Sequence, residues 1–181
     1  MIVPIICLII IIFCIVAISK GVKEGKKIND QKQELFNSGA TILASFNHFN
    51  GLPIAEGALC QVVSFPDKLK FKSGGIDFDL EKNKITDICI KSEAEIQQQY
   101  VSSVGGAVGG AVLFGPIGAM IGGRAKKKTT KTITSYMIIT YMKDEEVKYI
   151  AFDILNQSSI ANRFVKEFKD NNIQGQKTIS L

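Results

Sequence analysis

Hydrophobic and polar positions fall into four successive rhythms along the chain. Residues Ile2–Ile18 (IVPIICLIIIIFCIVAI) run without a charge, and as a helix they would reach about 26 Å, close to a hydrocarbon core. Ser19–Asn37 then turns polar, rich in Lys, Glu, Gln and Asn, and reads as a solvated helical or flexible stalk within residues 19–40. From Thr41 the chain breaks into short runs separated by turn residues, several of them alternating with period 2. After residue 155 the period lengthens. Ile160, Ala161, Phe164, Val165 and Phe168 recur three and four apart between charged positions, which predicts an amphipathic helix capped by Asn156 or Ser158 and ending at Asn171-Asn172.

Seven strands follow from the middle region. Lys68–Lys72 (KLKFK) sets Leu69 and Phe71 against three lysines, and Ile76–Glu81 (IDFDLE) sets Ile76, Phe78 and Leu80 against Asp77, Asp79 and Glu81. Gly74-Gly75 between them is a hairpin signal. Ala58–Phe65 precedes them across a Pro66-Asp67 turn, and Lys84–Lys91 follows them across Lys82-Asn83. Ile133–Met142 and Val147–Ile154 form a last pair around the turn Lys143–Glu146. Thr41–Phe49 completes the set, although Ile42, Phe46 and Phe49 also suit a short helix. The expected class is mainly β (α+β): a curved antiparallel sheet or partly open seven-stranded barrel over residues 41–170, closed at one end by the C-terminal helix, with a tail at 171–181.

Between the fifth and sixth strands lies Val101–Gly123, which contains GGAVGGAVLFGPIGAMIGG, with eight glycines in nineteen residues and no charge. Gly105, Gly106, Gly109, Gly110, Gly115, Gly118, Gly122 and Gly123 include several pairs four apart, laying small residues along one helix face for close helix packing. A single crossing by this segment would separate strands of one sheet across a bilayer and leave unpaired edges. Gly115-Pro116 instead permits a helical hairpin with arms Val101–Phe114 and Ile117–Gly123, neither long enough to span. A re-entrant or interfacial hairpin, a soluble insert and a full span are the three readings, and the hairpin fits best.

Charge sharpens this picture. The net charge of +5 is accounted for by Arg124, Lys126, Lys127, Lys128 and Lys131, since removing them leaves seventeen basic against seventeen acidic residues. This tract, residues 124–131, is expected to contact anionic lipid headgroups. It lacks interleaved aromatics for base stacking, so a nucleic-acid partner is not expected. Lys20, Lys23, Lys26 and Lys27 follow the apolar N-terminal run, which as an uncleaved single-pass anchor over residues 2–18 puts the domain on the cytoplasmic side of the cell membrane. A composition 46% hydrophobic and 22% charged accords with a packed core.

Catalytic and cofactor motifs fail at the residues that matter. Gly118–Gly123 has G-x-x-x-x-G spacing, but Arg124 and Ala125 stand where a phosphate loop needs Lys and Ser or Thr. A G-x-G-x-x-G dinucleotide motif is absent. His48 is the sole histidine and reads as a core or turn residue. Cys60 and Cys89 sit in strand patterns as small core residues with free thiols. Asp77, Asp79 and Glu81 share one strand face, which polar alternation explains without a cation. No catalytic, cofactor-binding or metal residue is assigned, and no enzyme is expected.

The succession FNHFNGLPIAEGALC (Phe46–Cys60), strand hairpins, an ITDI strand, an inserted glycine-zipper run and a closing Tyr-rich hairpin plus helix resembles bacterial pleckstrin-homology-like proteins across Thr41–Lys169. The resemblance implies a seven-stranded barrel serving as a cytoplasm-facing binding or scaffolding module without established catalysis. It does not extend to phosphoinositide recognition, because Asn50–Gly57 contains no Lys or Arg and carries Glu56. The partners expected are membrane lipids, a further copy of the chain through the zipper, and an unidentified protein. The alternative is a protein whose zippers oligomerise to perturb the membrane or form a pore.

Overall fold

The structure is a computed structural model that describes residues 25–96, 98 and 134–175. The predicted anchor at 2–18 and the predicted insert at 101–123, basic tract at 124–131 and final residues 176–181 lie outside the described residues. The chain divides into two units, Met1–Ala40 and Thr41–Leu181. In the first, residues 25–37 are helical. Among the described residues, no helix is long and apolar enough to cross a membrane.

The second unit carries all seven predicted strands: β1 (Ile42–Asn50), β2 (Leu59–Ser64), β3 (Lys68–Ser73), β4 (Ile76–Glu81), β5 (Ile85–Ser92), β6 (Ser135–Lys143) and β7 (Glu146–Asp153). They form one antiparallel sheet in the order β4-β3-β2-β1-β7-β6-β5. Its turns are chemically legible. Ser73 pairs with Ile76 across Gly74-Gly75, both at positive φ, which is the left-handed pair a two-residue hairpin requires. Lys143 pairs with Glu146 across Asp144 and Glu145, which adopt the same geometry without glycine, at φ 53° and 63°.

β1 settles as a strand because its helix-like spacing comes from burial on two faces. Ile42, Ala44 and Phe46 enter the main core, whereas Phe49 is buried in a second cluster after the register shifts between His48 and Asn50. Gly51 follows at once with φ +100°, pressed against β7 so closely that a Cβ there would lie 2.0 Å from the Tyr149 carbonyl oxygen.

The main core fills the concave side. Phe46 stands 6.1 Å from Phe152 and 6.1 Å from Phe164, and Phe71 stacks on Phe152 at 5.8 Å. Phe164 comes from the C-terminal helix (Ser158–Gly175), whose Ala161, Phe164 and Phe168 are buried as the periodicity requires. The Gln157 carbonyl accepts the first helical bond from the Ala161 N–H. Gln157 is therefore the cap position, in place of the expected Asn156 or Ser158: Asn156 lies in the preceding turn at φ 65° and Ser158 is the first helical residue. The helix also runs beyond Asn171-Asn172 to Gly175.

A barrel closed by strand pairing is not what forms. Among the described residues β4 pairs only with β3 and β5 only with β6, so the ladder stays open between them. The link is a three-residue 3-10 turn, Lys82–Lys84, entered and left in extended conformation. It carries the chain round a corner, with Leu80 and Ile85 both in the core, and does not fold β5 back along β4.

Polar contacts lock the helix over the sheet. Glu167 Oε2 accepts from Ser64 Oγ at 2.5 Å and pairs with Lys82 Nζ at 3.2 Å, while its Oε1 accepts from Thr41 Oγ1. One carboxylate thus ties the helix to the start of β1, the end of β2 and the corner turn. Ser64 is fully buried and the Lys82 side chain is 12% exposed, so truncation strands a hydroxyl and an ammonium group away from water. Glu167→Ala is expected to destabilise the domain by about 3 kcal/mol and Glu167→Gln by about 1 kcal/mol, as measured by urea unfolding.

Candidate functional site

Two places in the sheet have the geometry of functional sites: the root of the insert and the open seam. At the root, Ser92 of β5 pairs with Ser135 of β6, and the Glu93 N–H donates to the Thr134 carbonyl at 2.9 Å. Residues 93–134 therefore leave and re-enter the sheet at one point, about one strand spacing apart. The chain turns sharply there because Ser92-Glu93-Ala94-Glu95 forms a reciprocal cap. Glu95 Oε2 accepts from the Ser92 N–H at 2.7 Å and from Ser92 Oγ at 2.7 Å, and the Glu95 N–H donates to Ser92 Oγ at 3.3 Å. Those bonds hold the Glu95 carboxyl below its ordinary range, the backbone bond from Ser92 foremost. The motif S-x-x-E is visible in the sequence, although it sits unremarked in a polar run.

Behind the cap, Ile96 is fully buried against Phe49, Tyr136, Ile138 and Ala151 on the side of the sheet away from the main core. Phe49 and Tyr136 rings meet at 4.7 Å. β6 is thus buried on both faces from Tyr136 to Ile139, which explains its unbroken apolar run in place of alternation. The zipper glycines Gly105, Gly106, Gly109, Gly110, Gly115, Gly118, Gly122 and Gly123 lie outside the described residues, as do Arg124, Lys126, Lys127, Lys128 and Lys131.

The seam holds a cavity of about 760 Å³ between β4 and the β6–β7 hairpin. Phe71, Phe78 and Ile150 floor it, Gly51–Pro53 form one end, and Tyr141–Asp144 form the bank facing β4. Its volume falls within the ordinary range for ligand pockets, about 300–1,000 Å³. Nothing in the local sequence marked it, because it arises from a pairing that β4 does not make.

The remaining sequence candidates resolve into structural roles. His48 is 3% exposed, with Nδ1 3.2 Å from the Ala55 carbonyl and Nε2 accepting from the Leu52 N–H at 3.1 Å. It bridges the two limbs of the Gly51–Gly57 loop, with the proton on Nδ1. Cys60 and Cys89 are free thiols. Burial pushes Cys60 up to about 11, and burial together with the nearby Asp87 carboxylate pushes Cys89 up to about 12, so both stay protonated and poorly nucleophilic. Asp77 and Asp79 face the β3 lysines: Lys68 bonds Asp79 at 2.6 Å, and Lys70 and Lys72 approach Asp77 at 3.7 and 3.8 Å. The Lys68 bond holds Asp79 below the ordinary carboxylate range.

An open seven-stranded antiparallel sheet with a C-terminal helix packed into its concave side, interrupted between β5 and β6, defines a pleckstrin-homology-like domain. The chain belongs to the family described as glycine zipper containing PH domain, whose model matches residues 58–156, more than half of its length. No curated protein and no solved structure matches it.

Two substitutions test the geometry of these sites. Ile96→Ala is expected to cost about 2–5 kcal/mol in unfolding free energy, the range for emptying a buried site. Gly51→Ala is expected to lower the melting temperature sharply, because the new Cβ must displace the Tyr149 backbone; a melting curve unchanged from the parent would contradict the close approach.

Proposed function

We propose that this chain is a membrane-anchored, non-catalytic binding and scaffolding module facing the cytosol, with an insert that folds as a glycine-zipper hairpin and associates with the membrane or with a second copy. The observation that carries the reading is the root of the insert, where Ser92 and Ser135 pair and Glu93 bonds Thr134. If residues 101–123 crossed a bilayer once, only 124–134 would remain to return to Ser135. Those eleven residues reach at most about 36 Å when extended, and they carry five positive charges that would have to lie in hydrocarbon. An insert that enters and leaves on the same side avoids that cost.

Two further features support the reading. The capped root and the buried Ile96 hold the insert's first residues firmly on the sheet, as a scaffold presenting a membrane-active element requires. The non-catalytic part of the reading is supported by two protonated thiols and a histidine whose ring nitrogens are both engaged within its own loop.

Thiol labelling in intact cells and in inverted vesicles tests the topology. Ser103→Cys, Phe114→Cys and Lys128→Cys are placed singly in a chain whose native cysteines are replaced. Positions 103 and 128 should react only from the cytosolic side, with position 114 protected. Labelling of 103 and 128 from opposite sides would sink the hairpin. Crosslinked oligomers lost on Gly106→Leu or Gly110→Leu would assign the zipper to self-association in place of lipid contact.

A further inference from the structure

The seam cavity has a property that separates it from a pocket on a sheet face. Phe78 and Leu80 line it from the core side of β4, and Asp79 and Glu81 line it from the solvent side. Residues from both faces of one strand border the same cavity where it runs along the strand's edge or round its end, and here it takes in the last four residues of β4. β4 has no strand partner on that edge among the described residues, so its outward N–H and C=O groups border the cavity. The opposite bank is the end of the β6–β7 hairpin, and the floor is aromatic and aliphatic.

We infer that the seam binds an extended peptide segment of a partner protein, which adds to β4 as an eighth strand. This rests on the proposed reading of the domain as a binding module, and names the partner's chemistry. The peptide backbone would bond to the β4 edge at the usual strand spacing of about 4.8 Å. Alternate side chains, being apolar, would enter the cavity over Phe71, Phe78 and Ile150. The rim sets the charge preference. Asp79 and Glu81 are held by Lys68 and Lys84, whereas Asp67 and Asp144 form no ion pair among the described residues, although Asp67 lies in the field of Lys68 and Asp144 in that of Lys148, and Lys143 is the third lysine lining the cavity. The rim thus has an excess of one negative charge, and the segment it favours carries Lys or Arg at outward positions. A small amphiphile would fill the apolar floor but leave the strand edge unbonded.

The test is a selection from a displayed library of random dodecapeptides against the full chain in lipid nanodiscs, followed by anisotropy measurements on the synthesised winners. Enriched peptides should alternate apolar and polar residues and carry Lys or Arg. N-methylation of every second backbone amide should weaken binding about tenfold per site and the intervening amides little, the pattern of one-sided strand addition. Asp67→Lys combined with Asp144→Lys should weaken the same peptides at low ionic strength while leaving the melting temperature unchanged, and Asp67→Asn with Asp144→Asn guards against misfolding of the reversal. Winners indifferent to the position of N-methylation, or winners whose binding protects amides elsewhere than β4 in hydrogen exchange, overturn the seam as the site but leave a binding module. A library with no enrichment overturns the peptide proposal and counts against the binding module, whereas the labelling pattern at positions 103, 114 and 128 judges the membrane topology independently.

Discussion

The ladder between β5 and β6 is the constraint on which the rest of the molecule depends. Its last rung joins Ser92 to Ser135, with forty-two residues between them in sequence and one strand spacing between them in space. Backbone pairing at Ser92/Ser135 and Glu93/Thr134 ties the two ends of the excursion to the same point of the sheet. Ile96 and the Ser92–Glu95 cap then extend that tie one turn into the excursion. The sheet has a second core on its outer side because this first turn has to be buried against something. Phe49, Tyr136, Ile138 and Ala151 meet that need.

With two apolar faces to satisfy, β6 carries a nearly continuous hydrophobic run and β7 an apolar stretch from Tyr149 to Phe152, and the outlying strands β3 and β4 alternate. The consequences reach the seam. β4 presents Asp77, Asp79 and Glu81 to solvent and pairs them with β3 lysines and Lys84, the charged dress that keeps an edge strand from indiscriminate pairing. Glu167 grips Lys82 in the corner turn that follows β4, which ties the start of the seam to the helix.

Strand positions were legible wherever one face meets water, and β3 and β4 fall within a residue of their alternating runs because each polar position there is solvated. β1 was ambiguous for a physical reason: Phe49 belongs to a different core from Phe46, and two interleaved burial patterns imitate a helical one. The glycine run was plain from composition, and its place between the fifth and sixth strands from the alternating runs on either side of it. The seam was not, since a missing hydrogen-bonded neighbour leaves no mark on local sequence. Glu167 was equally hidden, as its spacing marks it as one more charged residue between apolar helix positions, and only the tertiary approach of Ser64, Thr41 and Lys82 gives it a role.

The separation of β5 from β6 also has a consequence in time. During synthesis at about 5–20 residues per second, β5 emerges and then waits roughly 2–8 s before its partner strand exists. The hairpins β1–β2 and β3–β4 need no such delay, because their partners follow within a few residues. For that interval the nascent chain holds a half-sheet with Cys89 and Ile90 unpaired, and the next segment to appear is the glycine-rich run itself. If the run engages lipid as it emerges, the bilayer holds it away from the exposed strand until β6 arrives. The order of translation would then act as a chaperone for the last rungs of the ladder.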